Sequence, residues 1–151
     1  LPDTALLSEV LARAIEESPK RPQPWYTLAN LSIAAANANP AGSFERAAGY
    51  AAAKDTLPRY VGLVPGLSKP YFILAQLEYA SGNGTAASLE AAKGKERYRG
   101  DPETARRAAG YYESVFDLSN AAFFLREILR FDPGDSDARD DLSQIEAHGS
   151  Y

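Results

Sequence analysis

The sequence of 151 residues contains no cysteine and no methionine, and its single histidine is His148, near the end of the numbered chain. Without cysteine, a disulfide framework, a thiolate nucleophile and a cysteine metal site are all excluded. With one histidine and no thiol, we do not expect a nucleophilic triad or a transition-metal site. The absence of methionine even at position 1 leads us to expect that the numbered chain is a piece of a longer protein.

No segment of the sequence has the pattern of a signal peptide or an apolar run near the twenty residues that a membrane span needs, so we expect no direct membrane insertion of this segment. A net charge of −4 gives no reason to expect nucleic-acid binding, which requires a basic surface. A basic stretch precedes an acidic tail, and we interpret them as a solvated face and a solubilising end. The basic residues are Lys93, Lys95, Arg97, Arg99, Arg106 and Arg107, and the acidic ones are Asp132, Asp135, Asp137, Asp140, Asp141 and Glu146.

Known catalytic and ion-binding motifs are missing as well. The carboxylates of Asp132, Asp135 and Asp137 resemble part of a calcium loop, but the glycine falls at Gly134 and no glutamate stands where such a loop needs one. The segments GNG and GDP lack the lysine and serine of a phosphate-binding loop. We therefore expect no enzymatic activity, no metal and no cofactor.

Alanine dominates the 45% hydrophobic content, and it both favours helices and lets them approach closely. No stretch alternates as a strand would, so the sequence predicts an all-α protein of about eight helices separated by proline and glycine. The segment RYVGLVPGLSK, after Pro58, is predicted to be a connector. The first four predicted helices run from Asp3 to before Pro19, from near Pro24 to about Asn37, from Ser43 to Pro58, and from Pro70 to SGNG. The fifth runs from Thr85 to RYRGDP, the sixth starts near Pro102, and the seventh starts after DLSN. The segment FDPGDSD separates the seventh from the last helix, which ends near Ala147.

Two short stretches repeat the same pattern of a proline, two aromatics, leucine, alanine, an amide and leucine: PWYTLANL at 24–31 and PYFILAQL at 70–77. A second signature, a small or aliphatic residue five positions before a helix-ending proline, occurs in AIEESP, AKDTLP and ILRFDP. The two signatures label the first and second helices of a repeated helical hairpin.

These residues resemble the tetratricopeptide (TPR) repeat, a helical hairpin that stacks into a right-handed superhelix. The motif positions are Trp25, Leu28 and Ala29, then Tyr71, Leu74, Ala75, Gly82 and Ala87, and in a degraded third copy Ala105, Ala108, Ala109, Tyr112, Ala121, Leu125, Ile128 and Pro133. The resemblance implies a single TPR-like domain over residues 1–151. Its predicted parts are a second-half helix of a truncated or capping unit (1–19), three repeats (22–58, 69–100 and 102–133) and a C-terminal capping helix (135–147). The junction between Pro58 and Tyr71 is seven residues longer than the one between Pro19 and Trp25.

Function in this family resides in the concave groove formed by the first helix of each hairpin. The resemblance assigns that groove to Tyr26, Asn30, Ile33, Phe72, Gln76, Tyr79, Arg106, Gly110 and Glu113. An aromatic followed one turn later by an amide, as in Tyr26 with Asn30 and Phe72 with Gln76, suits an extended peptide. The alternative for both aromatics is packing against the neighbouring hairpin. An amide inside a helix adds nothing to a core, so the two amides point more strongly to a ligand.

The expected function is that of a non-catalytic scaffold that binds a protein or peptide through the groove. An architectural module that spaces or self-assembles neighbouring domains is the alternative from another class. A third possibility is an accessory domain that positions a glycan or lipid-linked substrate. The run AIEESPKRPQPWYTLANL is similar to TPR segments attached to bacterial O-antigen ligase or polymerase-like membrane proteins, and on that resemblance an extracytoplasmic location is expected rather than a cytoplasmic one.

Overall fold

The structure is a computed structural model that describes residues 3–149, and within this range the chain forms eight α-helices and no β-strand. The all-α class predicted from the sequence is confirmed. The helices are α1 (Thr4–Glu17), α2 (Pro22–Asn37), α3 (Phe44–Leu63), α4 (Lys69–Ala80), α5 (Gly84–Arg97), α6 (Pro102–Ser114), α7 (Leu118–Phe131) and α8 (Ser136–Ala147).

Polar N-cap residues determine where several of these helices begin. The Asp3 carboxylate accepts hydrogen bonds from the N–H groups of Ala5 and Leu6, at 3.1 and 3.2 Å. These side-chain bonds satisfy N–H groups that have no partner inside the helix. Four further caps accept from the third residue of their helices: Ser43 from Arg46, Asp101 from Thr104, Asp117 from Asn120 and Asp135 from Ala138. Because Asp117 is itself the cap, α7 begins inside the segment DLSN and not after it.

Helix α3 corrects the prediction that a helix ends at Pro58 and a connector follows. It continues through Pro58 to Leu63, so the segment between α3 and α4 is short. A proline inside a helix removes one backbone hydrogen bond, which favours ending the helix. The turn beyond Pro58, however, carries the buried Tyr60, whose ring lies 4.7 Å from that of Tyr26 on α2. This packing offsets the lost hydrogen bond.

The described residues pack as two compact units, and α4 contributes to both. The N-terminal unit contains the residues up to Leu67 together with Leu77–Gly84, and the C-terminal unit contains Ser68–Gln76 together with the residues from Thr85 onward. The predicted single domain over 1–151 stays a prediction.

In the N-terminal unit, α2 and α3 form an antiparallel hairpin. Near its turn, a Cβ atom built on Gly49 would lie only 2.6 Å from the Cβ of Ala36, so the two backbones are in close contact there. Far from the turn, the guanidinium of Arg59 lies over the ring of Trp25, 5.8 Å from its centroid. The indole N–H of Trp25 also donates to the carbonyl of Pro19, at 2.9 Å, beside the junction from α1. Small residues on the facing surfaces therefore let α2 and α3 approach closely.

We group the helices of the C-terminal unit into two layers by the polar contacts between their side chains: the α4 segment, α6 and α8 in the first, and α5 and α7 in the second. Along the first layer, Lys69 of α4 contacts Glu103 of α6 at 2.6 Å, and Arg106 of α6 contacts Asp135 before α8 at 2.5 Å. Along the second layer, Lys95 of α5 contacts Asn120 of α7 at 2.5 Å.

An aromatic cluster holds the two layers of the C-terminal unit together. The rings of Tyr112 and Phe124 stack at 5.7 Å, and the ring of Phe72 meets both edge-on at 6.0 and 5.6 Å. Phe72 is 0% exposed, and a Cβ atom built on Gly94 would lie 2.8 Å from its ring. Phe72 was predicted to line the groove; the structure places it in the core instead, which is the packing alternative.

The turns that end α4 and α6 have the same backbone geometry but different residues. Gly82 has φ +83°, and Phe116, 34 positions later, has φ +59°. In both turns the following N–H reaches the carbonyl five residues back, from Asn83 to Glu78 at 2.8 Å and from Asp117 to Tyr112 at 2.9 Å. Glycine is the usual residue at this left-handed position, because a side chain there clashes with the backbone.

We expect Phe116→Gly to stabilise the protein by about 1 kcal/mol, since it removes this strain and the Phe116 side chain is 83% exposed. Urea unfolding of both proteins measures the change. The matched control Gly82→Ala should lose about 1 kcal/mol, because no atom lies near the added Cβ and only the backbone is strained. A loss of stability in Phe116→Gly would show that the exposed ring contributes packing.

Candidate functional site

The clearest candidate site in the C-terminal unit is a cleft between α6 and α8, with α7 as its floor. It encloses about 210 Å³. Three of the predicted groove residues line its α6 side. We call it the α6–α8 cleft and define it by Arg106, Gly110 and Glu113 on α6, Leu125 and Ile128 on α7, and Asp135, Asp137 and Asp141 at α8.

The three α6 residues share one face because they are spaced four and three positions apart. Gly110 lies in the middle, and an added Cβ there would meet no atom within 4 Å. The opposite face of α6 carries the buried Ala105, Ala108 and Tyr112. The cleft therefore opens where α6 has no side chain, and its wall is the helix backbone.

At one end, the cleft is closed by an ion pair. The guanidinium of Arg106 donates to the Asp135 carboxylate at 2.5 Å and lies 3.8 Å from Asp132. Asp135 also caps α8, accepting from the N–H of Ala138 at 3.0 Å. The backbone hydrogen bond from Ala138, followed by the bond from Arg106, holds the pKa of Asp135 below its usual range.

At the other end, two carboxyl groups meet. Burial, the charge of Asp141 and a hydrogen bond between the two side chains together raise the pKa of Glu113 to about 7, with burial the largest cause. Below this pKa, the protonated Glu113 shares a hydrogen bond with Asp141, and above it the two carboxylates repel each other. The cleft therefore has a fixed end at Arg106 and a pH-sensitive end at Glu113.

Next to the cleft, α4 and α6 are joined through Gln76. The side-chain carbonyl of Gln76 accepts from Arg107 at 2.8 Å. Among the described residues, Nε of Arg107 is buried and has no hydrogen-bond partner. Gln76 was predicted to add nothing to packing and to await a ligand, but it orients Arg107 within the unit.

The remaining predicted groove residues lie in the N-terminal unit. Tyr26 is partly buried and packs against Tyr60 of α3, which belongs to its own hairpin and not to a neighbouring one. Asn30 and Ile33 are partly buried on the same helix, and in the described part of the chain no protein group hydrogen-bonds the Asn30 amide. Tyr79 is 44% exposed. The structure brings Arg106, Gly110 and Glu113 together in one cleft, whereas the other predicted residues lie outside it.

Sequence reasoning missed the α8 side of the cleft, because Asp135, Asp137 and Asp141 were interpreted as part of a solubilising tail. The available signal was their spacing with the buried Ala138, which places Asp135, Ala138 and Asp141 on one face of the helix. Asp132 and Asp140, also in the acidic tail, are exposed.

Neither a family model nor a curated protein matches the chain. None of the helices formed by residues 3–149 combines the length and the apolar character needed for a membrane span.

The raised pKa of Glu113 predicts a pH dependence of stability. A group whose pKa is higher in the folded than in the unfolded protein stabilises the fold fully at a pH below its unfolded pKa. For Glu113 the unfolded pKa is near 4.5, and the stabilisation is lost as the pH rises through the folded pKa of about 7. Between pH 5 and pH 8, wild type should lose on the order of 1 kcal/mol through this group, less than a fully buried carboxyl would because Glu113 is partly solvated. Glu113→Gln should lose less than wild type over that range, because its amide donates to Asp141 at every pH.

Urea unfolding at the two pH values tests this expectation, with Glu146→Gln on the exposed side of α8 as the control. The control should follow wild type. A Glu113→Gln variant that loses as much stability as wild type would contradict the assigned pKa.

Proposed function

We propose that this chain is a non-catalytic interaction module that binds a protein or peptide along the α4–α6–α8 layer of the C-terminal unit. The observation that carries the proposal is the α6–α8 cleft, which contains the three groove residues that the TPR resemblance assigned to the third repeat. The cleft is open at Gly110, has an apolar floor of Leu125 and Ile128, and has polar groups at both ends.

The layered packing supports a TPR-like arrangement as part of this proposal. In TPR-like hairpins, the first helices lie side by side and the second helices form a separate layer. The contacts of α4 with α6 and of α6 with α8 fit the first layer, and the contact of α5 with α7 fits the second. Many TPR motif positions of the second and third repeats are also buried, among them Tyr71, Ala75 and Ala109.

The cleft is suited to an extended peptide. Its floor can take an apolar side chain from the ligand, which would remove that side chain from water. The carboxyl groups of Glu113, Asp137 and Asp141 are acceptors that can pair with backbone N–H groups or with a basic side chain of the ligand. Arg106 is held by Asp135, so it positions α8 rather than presenting a free cation.

Gly110→Gln should abolish peptide binding without unfolding the protein. Glutamine is a better helix former than glycine, and the open space above Gly110 accepts its side chain, so thermal stability should not fall. Twelve-residue peptides selected from a displayed library against wild type should bind the variant at least tenfold more weakly, about 1.4 kcal/mol.

The matched control is Ala92→Gln, which adds the same side chain on the exposed side of α5. The control should bind the selected peptides as wild type does. If the peptides bind Gly110→Gln unchanged, or if none can be selected, binding through the cleft is refuted.

Self-association is the second candidate function, and α1 favours it. No residue of α1 is buried, and Leu6 and Val10, one turn apart, are 58% and 54% exposed. An exposed apolar pair on one helix face favours contact with another surface.

Light scattering over a range of concentrations tests this alternative. Self-association through α1 predicts a mass that rises with concentration in wild type and stays monomeric in the double variant Leu6→Ser, Val10→Ser. A monomeric wild type at every concentration would remove the support for the architectural role.

A further inference from the structure

A second cavity lies in the N-terminal unit, at the turn between α2 and α3, and encloses about 340 Å³. Its walls are mostly small side chains, and the polar groups at one side are Arg46, Tyr50 and Ser43. The small residues are Ala41, Gly42, Ala47 and Ala80. None of these residues was predicted to bind a ligand.

Arg46 is held at this cavity by three hydrogen bonds to neutral groups. Its Nε donates to the Tyr50 hydroxyl at 3.2 Å, and its terminal nitrogens donate to the carbonyl of Asn39 and to the side-chain carbonyl of Asn37, each at 3.3 Å. The Tyr50 hydroxyl donates in turn to Asn37 at 2.5 Å. The guanidinium plane is therefore fixed before any ligand arrives.

The charge of Arg46 is not compensated by these partners. A guanidinium has five N–H donors, so after three bonds one N–H remains on each terminal nitrogen. Within residues 3–149, the ion pairs do not include Arg46, and its neighbour Glu45 is exposed. Arg46 is only partly buried, so an anion can reach its two unused donors and form charge-assisted hydrogen bonds with them.

An Arg46 side chain that extended into solvent would need no ligand to balance its charge, but Arg46 does not have that conformation. Arg46 is the third residue of α3, and a cation is disfavoured in the first turn of a helix by the helix dipole. A long side chain in that position normally extends into solvent. Here the side chain folds back along α3 to Tyr50 and across to α2, so it stays beside the cavity.

We propose that this cavity binds a carboxylate that carries a small apolar group. The two carboxylate oxygens match the two remaining N–H groups of the guanidinium, which favours a paired contact. The apolar group would pack among Ala41, Ala47 and Ala80. The carboxylate can come from the C-terminus of a peptide with an apolar last residue or from an acidic side chain.

Titration of the ¹⁵N-labelled chain with three short acetylated peptides tests the proposal and separates the two sources. The probes are Ac-Ala-Ala-Leu with a free C-terminus, the same peptide amidated, and amidated Ac-Ala-Asp-Ala. The first or the third should shift the Arg46 Nε–Hε signal and the Gly42 amide saturably, with a Kd on the order of 1 mM. The neutral amide should bind at least tenfold more weakly than the better acid.

Two variants test the site itself. Arg46→Gln should weaken binding at least tenfold, and Ala47→Leu, which fills the cavity while keeping Arg46, should do the same. The control Arg59→Gln lies on the same helix, beside Trp25, and should bind as wild type. If Arg46→Gln destabilises the turn, Ala47→Leu still decides the question. Unchanged binding in Ala47→Leu, equal binding of the amide and the acids, or no saturable shift overturns the proposal.

Discussion

The packing of the C-terminal unit depends on the contact between the Phe72 ring and the backbone of Gly94. The ring lies so close to α5 that a Cβ atom on residue 94 would be 2.8 Å away. The same ring meets Tyr112 on α6 and Phe124 on α7. One side chain of α4 therefore touches all three neighbouring helices, and the cleft between α6 and α8 lies on the same two-layer framework. A larger residue at position 94 would have to move the ring away from both other aromatics.

Local signals in the sequence predicted much of the fold, because helix ends depend on nearby residues. Asp3 and Ser43 cap helices as expected, since an N-cap acts within three residues of itself. The end of α3 was mispredicted because the reason for its continuation is distant. Tyr60 packs against Tyr26, more than thirty positions away, and no pattern around Pro58 shows that contact.

The candidate site was predicted only in part, because helix spacing is a local property of the sequence whereas contacts between helices are not. The spacing of Arg106, Gly110 and Glu113 determines that they share a face, and a helix period is sufficient to find it. Which aromatic of a repeated pair is buried depends on the neighbouring helix, so the sequence alone did not distinguish a core role for Phe72 from a surface role. The α8 carboxylates were missed because a run of acidic residues looks the same whether it faces solvent or another helix. Arg46 was missed because two of its three partners, Asn37 and Asn39, come from the preceding helix and turn.

The two ends of α8 respond to protons in opposite directions. At its first turn, the pKa of Asp135 lies below its usual range, so acid that protonates this carboxyl weakens both the cap and the bond to Arg106. Near Asp141, the pKa of Glu113 is about 7, so base that ionises Glu113 creates repulsion between the two carboxylates. Between these two pKa values, Asp135 is ionised and Glu113 is protonated, so the contacts of α8 with α6 are favourable at both ends. We therefore expect the contact of α8 with α6 to be strongest in mildly acidic solution and to weaken at one end or the other outside that range.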